Sequence, residues 1–418
     1  MGTCRYIAVN LLILLAGCTT FRLAPAAPLP PPQSFILTFW CGPPLAEFTD
    51  ARAAEIAAAG FNLVGSPCEG EVTPELNLRA LDTAARHGLR LSVADPRFNP
   101  GAAGLPGWES RLSAAVADYG HHPALGEYFV GDEPPAADFA AFAAVVARLR
   151  AEDPTHRAYV NLLPEFIPPT HLGADSYRDY LERFLGTVHP DLLSYDYYPF
   201  GYDEHGNEKD RSTFFSNLAL IREQALQHDL PFMLIVLAMP HARYRDSTAA
   251  ELRWQVFHAL AFGARGISYF AYWTPANVEG ADIMKFHNGL IEQGQPTLHY
   301  LQVAQLNREA RAIAQELATF HSVAVADSAG EVAPPFPLGP IEAIEGGPVT
   351  AGLFTNGSGQ LAILLVNRDY RHDITTDLHL RAGTRLPQVF DSFSAQWTAA
   401  ELPGITLAAG AARLIRWP

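Results

Sequence analysis

The chain has 418 residues, of which 49% are apolar and 17% are charged, so it can bury a large core and is not a disordered protein. This length corresponds to two or three domains, or to one large barrel with an appendage. Its 29 basic and 44 acidic side chains give a net charge of −15 at pH 7. Because nucleic-acid binding needs a basic surface, we expect no nucleic-acid partner.

The N-terminus has the pattern of an export signal. An apolar stretch from Tyr6 to Ala16 follows a basic residue and is too short to span a bilayer. The Leu-Ala-Gly-Cys sequence that ends at Cys18 resembles the lipobox of bacterial lipoproteins. The resemblance implies a signal peptide over residues 1–17 and a lipid on Cys18, the only membrane contact. The alternative is an ordinary signal peptide with an incidental cysteine.

The residue after Cys18 is threonine and not aspartate. By resemblance to Gram-negative lipoproteins, this favours the outer membrane, with the protein facing the periplasm or the cell surface. Residues 18–33 are rich in alanine and proline, which predicts a stiff tether.

Residues 34–321 repeat a strand followed by a helix. The predicted strands are short apolar, β-branched or aromatic runs: Phe35–Cys41, Phe61–Val64, Leu89–Ala94, Leu125–Val130, Ala158–Leu163, Leu192–Tyr198, Phe232–Met239 and Ile267–Trp273. Eight strands that alternate with helices favour an α/β fold of the (β/α)₈ TIM-barrel type. No glycine-rich dinucleotide motif follows the first strand.

Residues 322–418 have a different pattern, with short alternating or apolar runs separated by glycine-rich turns. This pattern predicts a small antiparallel β-sandwich domain. Its predicted strands are Val349–Thr355, Leu361–Asn367, Ile374–Leu380, Val389–Asp391 and Ala412–Trp417.

The ends of the barrel strands carry the candidate site, because catalytic groups of such barrels lie at the carboxyl ends of the strands. Carboxylates, aromatic rings and neutral polar groups dominate there, which suits acid–base chemistry on a sugar. The candidate catalytic residues are Glu133 and Asp196. The candidate substrate-binding residues are Trp40, Asp95, Asp132, Asn161, Tyr198, His241 and Trp273.

The fourth strand is the most informative segment. The sequence from His122 to Glu133 starts with His-Pro-Ala and ends with Asp-Glu, and it resembles the fourth strand of clan-A glycoside hydrolases, especially family 42. The segments Arg253–Trp273 and Asn288–Glu309 are similar to the same group. The resemblance implies a glycosidase in which Glu133 is the acid/base. Asp132 stands where the family has asparagine, which puts the usual hydrogen bond to a sugar hydroxyl in doubt.

The seventh strand departs from the family, whose nucleophilic glutamate lies at its end. The sequence Val236–His241 contains no acid. Three interpretations remain open: a carboxylate on another strand is the partner, the reaction is inverting, or the barrel has lost catalysis. Asp196 is the preferred partner, because strand alternation places it on one face with Ser194 and Tyr198.

We therefore expect a glycosidase with a carbohydrate substrate and no cofactor. The alternative is a catalytically degenerate barrel that acts as a lipid-anchored glycan-binding protein. A metal-dependent barrel hydrolase would need a His-x-His motif on the first strand, and Phe39-Trp40-Cys41 does not provide it, so no metal site is expected.

Cys41 and Cys68 follow the first two strands, which are neighbours in a parallel barrel. An exported protein meets an oxidising compartment, so a disulfide between them could form and persist. The alternative is two buried thiols that do not meet.

Overall fold

The structure is a computed structural model, which describes residues 35–277, 284–330 and 336–417. The predicted signal peptide, the lipidation site at Cys18 and the tether lie outside the described residues. In the part of the chain that is described, no helix is long and apolar enough to cross a membrane.

Eight parallel strands form the predicted barrel, which is confirmed. They are β1 (Ile36–Phe39), β2 (Leu63–Val64), β3 (Arg90–Ala94), β4 (Leu125–Asp132), β5 (Arg157–Leu162), β6 (Leu193–Asp196), β7 (Phe232–Leu237) and β8 (Gly266–Phe270). From β2 to β8 each strand pairs with the next in chain order, and β8 pairs with β1. The barrel closes between β1 and β2, where the Asn62 N–H donates to the Leu37 carbonyl at 3.0 Å.

A helix follows each strand. The helices are α1 (Asp50–Ala58), α2 (Pro74–Arg86), α3 (Trp108–Tyr119), α4 (Phe139–Glu152), α5 (Tyr177–Val188), α6 (Phe214–Gln227), α7 (Ala249–Ala261) and α8 (Leu298–Glu316). A one-turn helix, Pro169–Leu172, precedes α5. The start of α7 is fixed by a capping box, in which the Thr248 and Glu251 side chains each bond to the other's backbone N–H.

A bulge interrupts the ladder between β4 and β5. The register shifts between Phe129 and Gly131, so that Asp132 and not Gly131 lies beside Asn161 of β5. A bulge changes the direction in which later side chains point. Consequently Asp132 lines the interior of the barrel at the end of β4.

The C-terminal region contains two antiparallel sheets. Their strands are β9 (Phe320–Asp327), β10 (Ile341–Gly346), β11 (Val349–Asn356), β12 (Leu361–Asn367), β13 (Ile374–Leu380), β14 (Gln388–Asp391), β15 (Gln396–Ala399), β16 (Gly404–Leu407) and β17 (Ala412–Arg416). One sheet has the order β9-β11-β12-β17-β14-β15 and the other has the order β10-β13-β16. A separate apolar core joins the two sheets and includes Ile341, Ile363 and Ile405.

The larger sheet packs on α7 of the barrel. Gly352 allows this approach, since a side chain there would collide with the backbone oxygen of Ala261. The Trp254 indole N–H donates to the Arg368 carbonyl at 2.9 Å, which adds a polar contact. The β domain therefore braces the outside of the barrel, and the carboxyl ends of the strands carry the candidate site.

Candidate active site at the barrel mouth

Three carboxyl groups meet at the carboxyl ends of β4 and β6. Asp132 is the last residue of β4, Glu133 follows it, and Asp196 is the last residue of β6. Asn161 of the intervening strand β5 connects them, because its Nδ2 donates to Asp132 Oδ1 at 3.1 Å and to Asp196 Oδ1 at 3.2 Å. The structure thus brings together four of the candidate residues.

The orientation of Asn161 is fixed by a chain of hydroxyl groups inside the barrel. Its Oδ1 accepts a hydrogen bond from Ser194 Oγ at 3.1 Å, and the Tyr159 hydroxyl lies 3.0 Å from the same Ser194 oxygen. Since the Ser194 proton is used toward Asn161, the Tyr159 hydroxyl is the donor to Ser194. The chain therefore directs the Nδ2 protons of Asn161 toward the two aspartates.

The carboxyl groups of Glu133 and Asp196 interact with each other, and the charge of Glu133 raises the pKa of Asp196. Because two neighbouring carboxyl groups disfavour ionising together, the pair favours holding one proton. Glu133 adopts a left-handed backbone conformation with φ of 48°, which is uncommon outside glycine and concentrates at functional sites. Its N–H donates to the Asn161 carbonyl at 2.9 Å, which holds this conformation.

The pKa of each of the three carboxyl groups is raised. Burial raises the pKa of Asp132 to about 7, the charge of Glu133 adds to this effect, and the hydrogen bond from Asn161 opposes it. Asp196 is 5% exposed, and burial together with the charges of Glu133 and Asp132 raises its pKa well above the usual value. Burial also raises the pKa of Glu133. Although Asp132 and Glu133 are accessible to solvent, the surrounding walls of the mouth favour their protonated forms.

His241 lies in an aromatic cluster that includes Tyr198, two residues after Asp196. Its ring centroid is 5.5 Å from that of Tyr198, 4.8 Å from that of Tyr244 and 4.8 Å from that of Phe270. Burial lowers the pKa of His241, which favours the neutral ring. Its Nδ1 lies 2.9 Å from the Met239 carbonyl, an acceptor, so the proton is on Nδ1 and Nε2 is left as an acceptor.

A cavity of about 200 Å³ extends from Asp132 into the barrel between β1 and β5. Aromatic rings form one wall, with the Trp40 centroid 5.6 Å from that of Phe129 and 6.2 Å from that of Tyr159. Its other lining residues are mainly small or polar: Thr38, Phe39, Gly65, Ser66, Pro67, Cys68, Ser92, Glu127 and Ser268. A mixture of aromatic and hydroxyl-bearing walls is suited to a sugar ring.

Asp95 does not join this cluster. Its carboxylate accepts hydrogen bonds from Arg97 Nε at 2.9 Å, from Arg97 Nη2 at 2.7 Å and from the Tyr119 hydroxyl at 2.7 Å. It also caps the short helix Pro96–Phe98 by accepting the Arg97 N–H. Because these contacts occupy both oxygens, we correct the expectation of substrate binding to a structural role.

Trp273 stands at the rim, with its ring held by neighbouring side chains. Its indole N–H donates to Glu69 Oε1 at 3.1 Å, and the Arg52 guanidinium lies 5.3 Å from the ring centroid. Trp273 does not line the cavity, whereas Trp40 does. The structure therefore favours Trp40 as the aromatic platform.

Cys41 and Cys68 are joined by a disulfide, with Cα atoms 4.7 Å apart. The bond connects the loops that follow β1 and β2, and Cys68 lines the cavity. Among the residues that the structure describes, no group of three or more histidine, cysteine, aspartate or glutamate side chains could hold a metal ion.

Sequence reasoning missed two side chains of the site. Tyr159 lies two residues before the predicted site residue Asn161, so strand alternation could have placed it on the same inward face. Glu127 faces the cavity and pairs with Arg157 Nε at 3.2 Å. No sequence signal distinguishes this buried acid from an ordinary strand residue.

No protein-family model and no curated protein matches this chain. Solved structures do match it. A β-galactosidase from Bacillus circulans sp. alkalophilus superposes with a TM-score of 0.60 at 9% identity, over 92% of this chain and 99% of that chain. A catalytic mutant of a GH42 β-galactosidase from G. stearothermophilus superposes with a TM-score of 0.59 at 10% identity, over 92% and 98%.

The β-galactosidase from the psychrophilic Marinomonas ef1 matches with a TM-score of 0.50 at 13% identity, over 68% of this chain. This chain spans 60% of the length of that enzyme. At these identities the likeness concerns the fold. The chain therefore has a barrel similar to that of GH42 β-galactosidases, followed by a C-terminal β domain.

Proposed function

We propose that this protein is a glycoside hydrolase whose active site is the carboxyl cluster at the barrel mouth. The observation that carries the proposal is the meeting of Asp132, Glu133 and Asp196, with raised pKa values, beside a cavity with aromatic and hydroxyl-bearing walls. Perturbed carboxyl groups in a cleft are typical of acid–base catalysis. The solved structures with a similar fold include β-galactosidases, which agrees with a carbohydrate substrate.

Glu133 would protonate the glycosidic oxygen, and Asp196 would attack the anomeric carbon or activate a water molecule. Retaining pairs are about 5–5.5 Å apart and inverting pairs about 6.5–9.5 Å apart. Glu133 and Asp196 interact directly, and the charge of Glu133 raises the pKa of Asp196. A sugar bound between them would set their separation, and a proton on Glu133 would then be available for the leaving group.

The test is a screen of the purified protein against plant and microbial polysaccharides, with products identified by mass spectrometry. The Glu133→Gln variant should lose activity on every glycan that the wild type cleaves. Glu204→Gln, which removes an exposed acid from a surface turn, is the matched control and should retain it. Full activity of Glu133→Gln would refute the assignment. Proton NMR of the first product anomer would then distinguish retention from inversion.

A second candidate function is glycan binding without turnover. The observation that favours it is the end of β7, where residues 237–241 contain no acid and the His241 ring is packed among aromatic rings. Affinity for a glycan without any product would support this function over hydrolysis. In either case, we propose that a lipid on Cys18 anchors the protein to the outer membrane.

A further inference from the structure

Arg211 is an exposed residue whose guanidinium lies over the Phe166 ring and close to the Tyr244 side chain. Its Cζ lies 3.7 Å from the Phe166 ring centroid and 5.6 Å from the Tyr244 ring centroid. Its Nη2 also donates to the Tyr244 hydroxyl at 3.4 Å. Stacking of this kind fixes the plane of the guanidinium and leaves N–H groups at its edge.

Three loops at the carboxyl ends of the barrel strands build this arrangement. Phe166 follows β5, Tyr244 follows β7, and Arg211 follows a hairpin of Phe200–Tyr202 and Glu208–Asp210 that is inserted after β6. All three residues therefore belong to the face of the barrel that carries the carboxyl cluster.

Tyr244 connects Arg211 to that cluster. Its ring centroid is 5.2 Å from that of Tyr198, which lies two residues after Asp196. Burial raises the pKa of Tyr244; Arg211 opposes this, and the charges of Asp196 and Glu133 add to it. The pKa of Tyr244 thus depends on both the Arg211 guanidinium and the acid pair. Arg211 lies on the other side of Tyr244, at the rim.

The acids near Arg211 do not pair with it. Asp210, its neighbour in the chain, pairs with Arg245 Nη2 at 3.0 Å and accepts the Tyr370 hydroxyl. Glu165, beside Phe166, has a buried Oε2 without a hydrogen-bond partner, and burial raises its pKa, which favours its neutral form. Within the described residues, no carboxylate oxygen lies within 4.0 Å of the Arg211 guanidinium.

Two other arginines on this face have acid partners. Arg52 pairs with Glu55 at 2.7 Å, and Arg97 pairs with Asp95 at 2.7 Å. In a protein with a net charge of −15, a stacked arginine without such a partner at the site entrance is an unusual arrangement. A rigid guanidinium recognises planar or tetrahedral oxyanions through paired, charge-assisted hydrogen bonds.

We infer that Arg211 binds an anionic group of the glycan, either the carboxylate of a uronic acid or a sulfate ester. This inference rests on the proposed function and specifies its substrate class as an acidic oligo- or polysaccharide. The group would be carried by a sugar near the rim, outside the position that contacts Glu133 and Asp196. The pKa values of the three carboxyl groups of the site are raised, which favours their neutral forms. Neutral carboxyl groups repel an anionic substrate less than ionised ones would.

The experiment compares kcat/KM for acidic and neutral oligosaccharides of equal length. Oligogalacturonate and glucuronoxylan fragments supply carboxylates, chondroitin sulfate fragments supply sulfate esters, and xylan and galactan fragments supply neutral chains. The wild type should have a higher kcat/KM for fragments with one of the two acidic groups, carboxylate or sulfate, than for neutral fragments. Arg211→Gln should reduce the ratio of acidic to neutral kcat/KM roughly 10- to 100-fold. Arg211→Lys should restore only part of the ratio, because lysine lacks the planar fork.

Arg243→Gln is the matched control. Arg243 is an exposed arginine next to Tyr244, and it stacks on no aromatic ring among the described residues. The Arg243→Gln variant removes the same charge from the same loop region. If both variants reduce the ratio of acidic to neutral kcat/KM equally, the effect comes from the general electrostatic field, and a specific contact of Arg211 is refuted. The preference should also weaken with added salt.

Failure of the inference and failure of the proposed function give different results. If the wild type cleaves neutral glycans as well as acidic ones and Arg211→Gln leaves the ratio unchanged, the inference is refuted and hydrolysis stands. If no glycan is cleaved, calorimetric titration with the same fragments decides. Tighter binding of an acidic fragment, lost in Arg211→Gln, would support the inference without catalysis, and equal binding would refute it.

Discussion

The carboxyl groups of Glu133 and Asp196 interact with each other, although Glu133 follows β4 and Asp196 ends β6 of the barrel. Burial disfavours a charge on Asp196 more than on Glu133, because Asp196 is 5% exposed and Glu133 is open to solvent. Burial therefore favours the protonated form of Asp196 over that of Glu133, the proposed acid.

The first prediction concerns Asp196→Asn. Asparagine can still donate a hydrogen bond to Glu133, but it has no carboxyl proton to share and cannot act as a nucleophile or base. We expect kcat to fall at least about 100-fold, which is typical for loss of a general acid or base, with a smaller change in KM. Steady-state kinetics on the glycan found in the screen measure this effect. A variant that keeps a tenth or more of the wild-type kcat would exclude Asp196 from the chemistry.

The second prediction links Asp132 to the pH dependence of stability. Its pKa is about 7 in the folded protein and 3.8 in the unfolded chain, so the folded state binds the proton more tightly. The resulting stability is present below pH 3.8 and is lost as the pH rises through about 7. The Asp132→Asn variant has no carboxyl group at this position, so it does not lose this stability as the pH rises. Relative to the wild type, its free energy of unfolding should therefore be higher at pH 8 than at pH 4.

Because Asp132 is accessible to solvent, screening limits the expected difference to on the order of 1–2 kcal/mol. Urea unfolding at pH 4, 6 and 8 measures it. Asp153→Asn is the control with the opposite sign, since hydrogen bonds from Thr155, Tyr128 and His156 outweigh burial and lower the pKa of Asp153 to about 2. The free energy of unfolding of Asp153→Asn should be lower than that of the wild type by the same amount from pH 5 to pH 8. If the free energies of unfolding of Asp132→Asn and the wild type differ by the same amount at all three pH values, the raised pKa of Asp132 is contradicted.

The third prediction concerns the amide that joins the acids. Asn161→Ala removes the hydrogen bonds that lower the pKa of both Asp132 and Asp196. The pKa of both groups should rise further, so the acidic limb of the kcat/KM profile should move to higher pH. Asn77→Ala is the control, because Asn77 is an equally buried asparagine that donates to the Ala94 carbonyl at 2.9 Å.

Both asparagine variants should lose stability, by about 1–3 kcal/mol, since each leaves a buried group without its partner. Only Asn161→Ala should shift the pH profile. If the two variants give the same profile, Asn161 is a structural residue and not a positioning residue for the acids.

The barrel was predictable because its strands are short, buried, apolar runs that recur between helices. The same rule about strand ends predicted that Asp132, Glu133, Asn161 and Asp196 would meet, and they do. Strand alternation also predicted that Ser194 and Asp196 share the inward face. These inferences depend on backbone periodicity, which local sequence determines well.

The direct contact of Glu133 with Asp196 was not predictable. It depends on the bulge after Phe129 and on the left-handed conformation of Glu133, neither of which has a sequence signature here. The role of Asp95 was misjudged because its partner Arg97 lies only two residues away, in a turn that captures the carboxylate. Side-chain pairing within loops follows local geometry that strand-end rules do not describe.

The fourth prediction concerns the export signal. If Cys18 is lipidated, expression of the full chain in a Gram-negative host should place it in the membrane fraction, and labelled palmitate should be incorporated. Cys18→Ser should abolish both the label and the membrane association. Cys68→Ser should leave the label in place, which controls for nonspecific acylation. Equal labelling of the wild type and Cys18→Ser would refute the anchor.

The fifth prediction concerns the bond between Cys41 and Cys68, which encloses a sequence separation of 27 residues. A loop of this length restrains the unfolded chain by about 3–4 kcal/mol, so the Cys41→Ala, Cys68→Ala double variant should lose up to this amount of unfolding free energy. A reducing agent should lower the melting temperature of the wild type and leave that of the double variant unchanged.

The bond also restrains the wall of the cavity, since Cys68 lines it and the Cys41 carbonyl accepts the Trp273 N–H at 2.8 Å. The double variant should therefore show a raised KM as well. Counting thiols on denatured, unreduced protein is the direct measurement, and two free thiols besides Cys18 would refute the bridge.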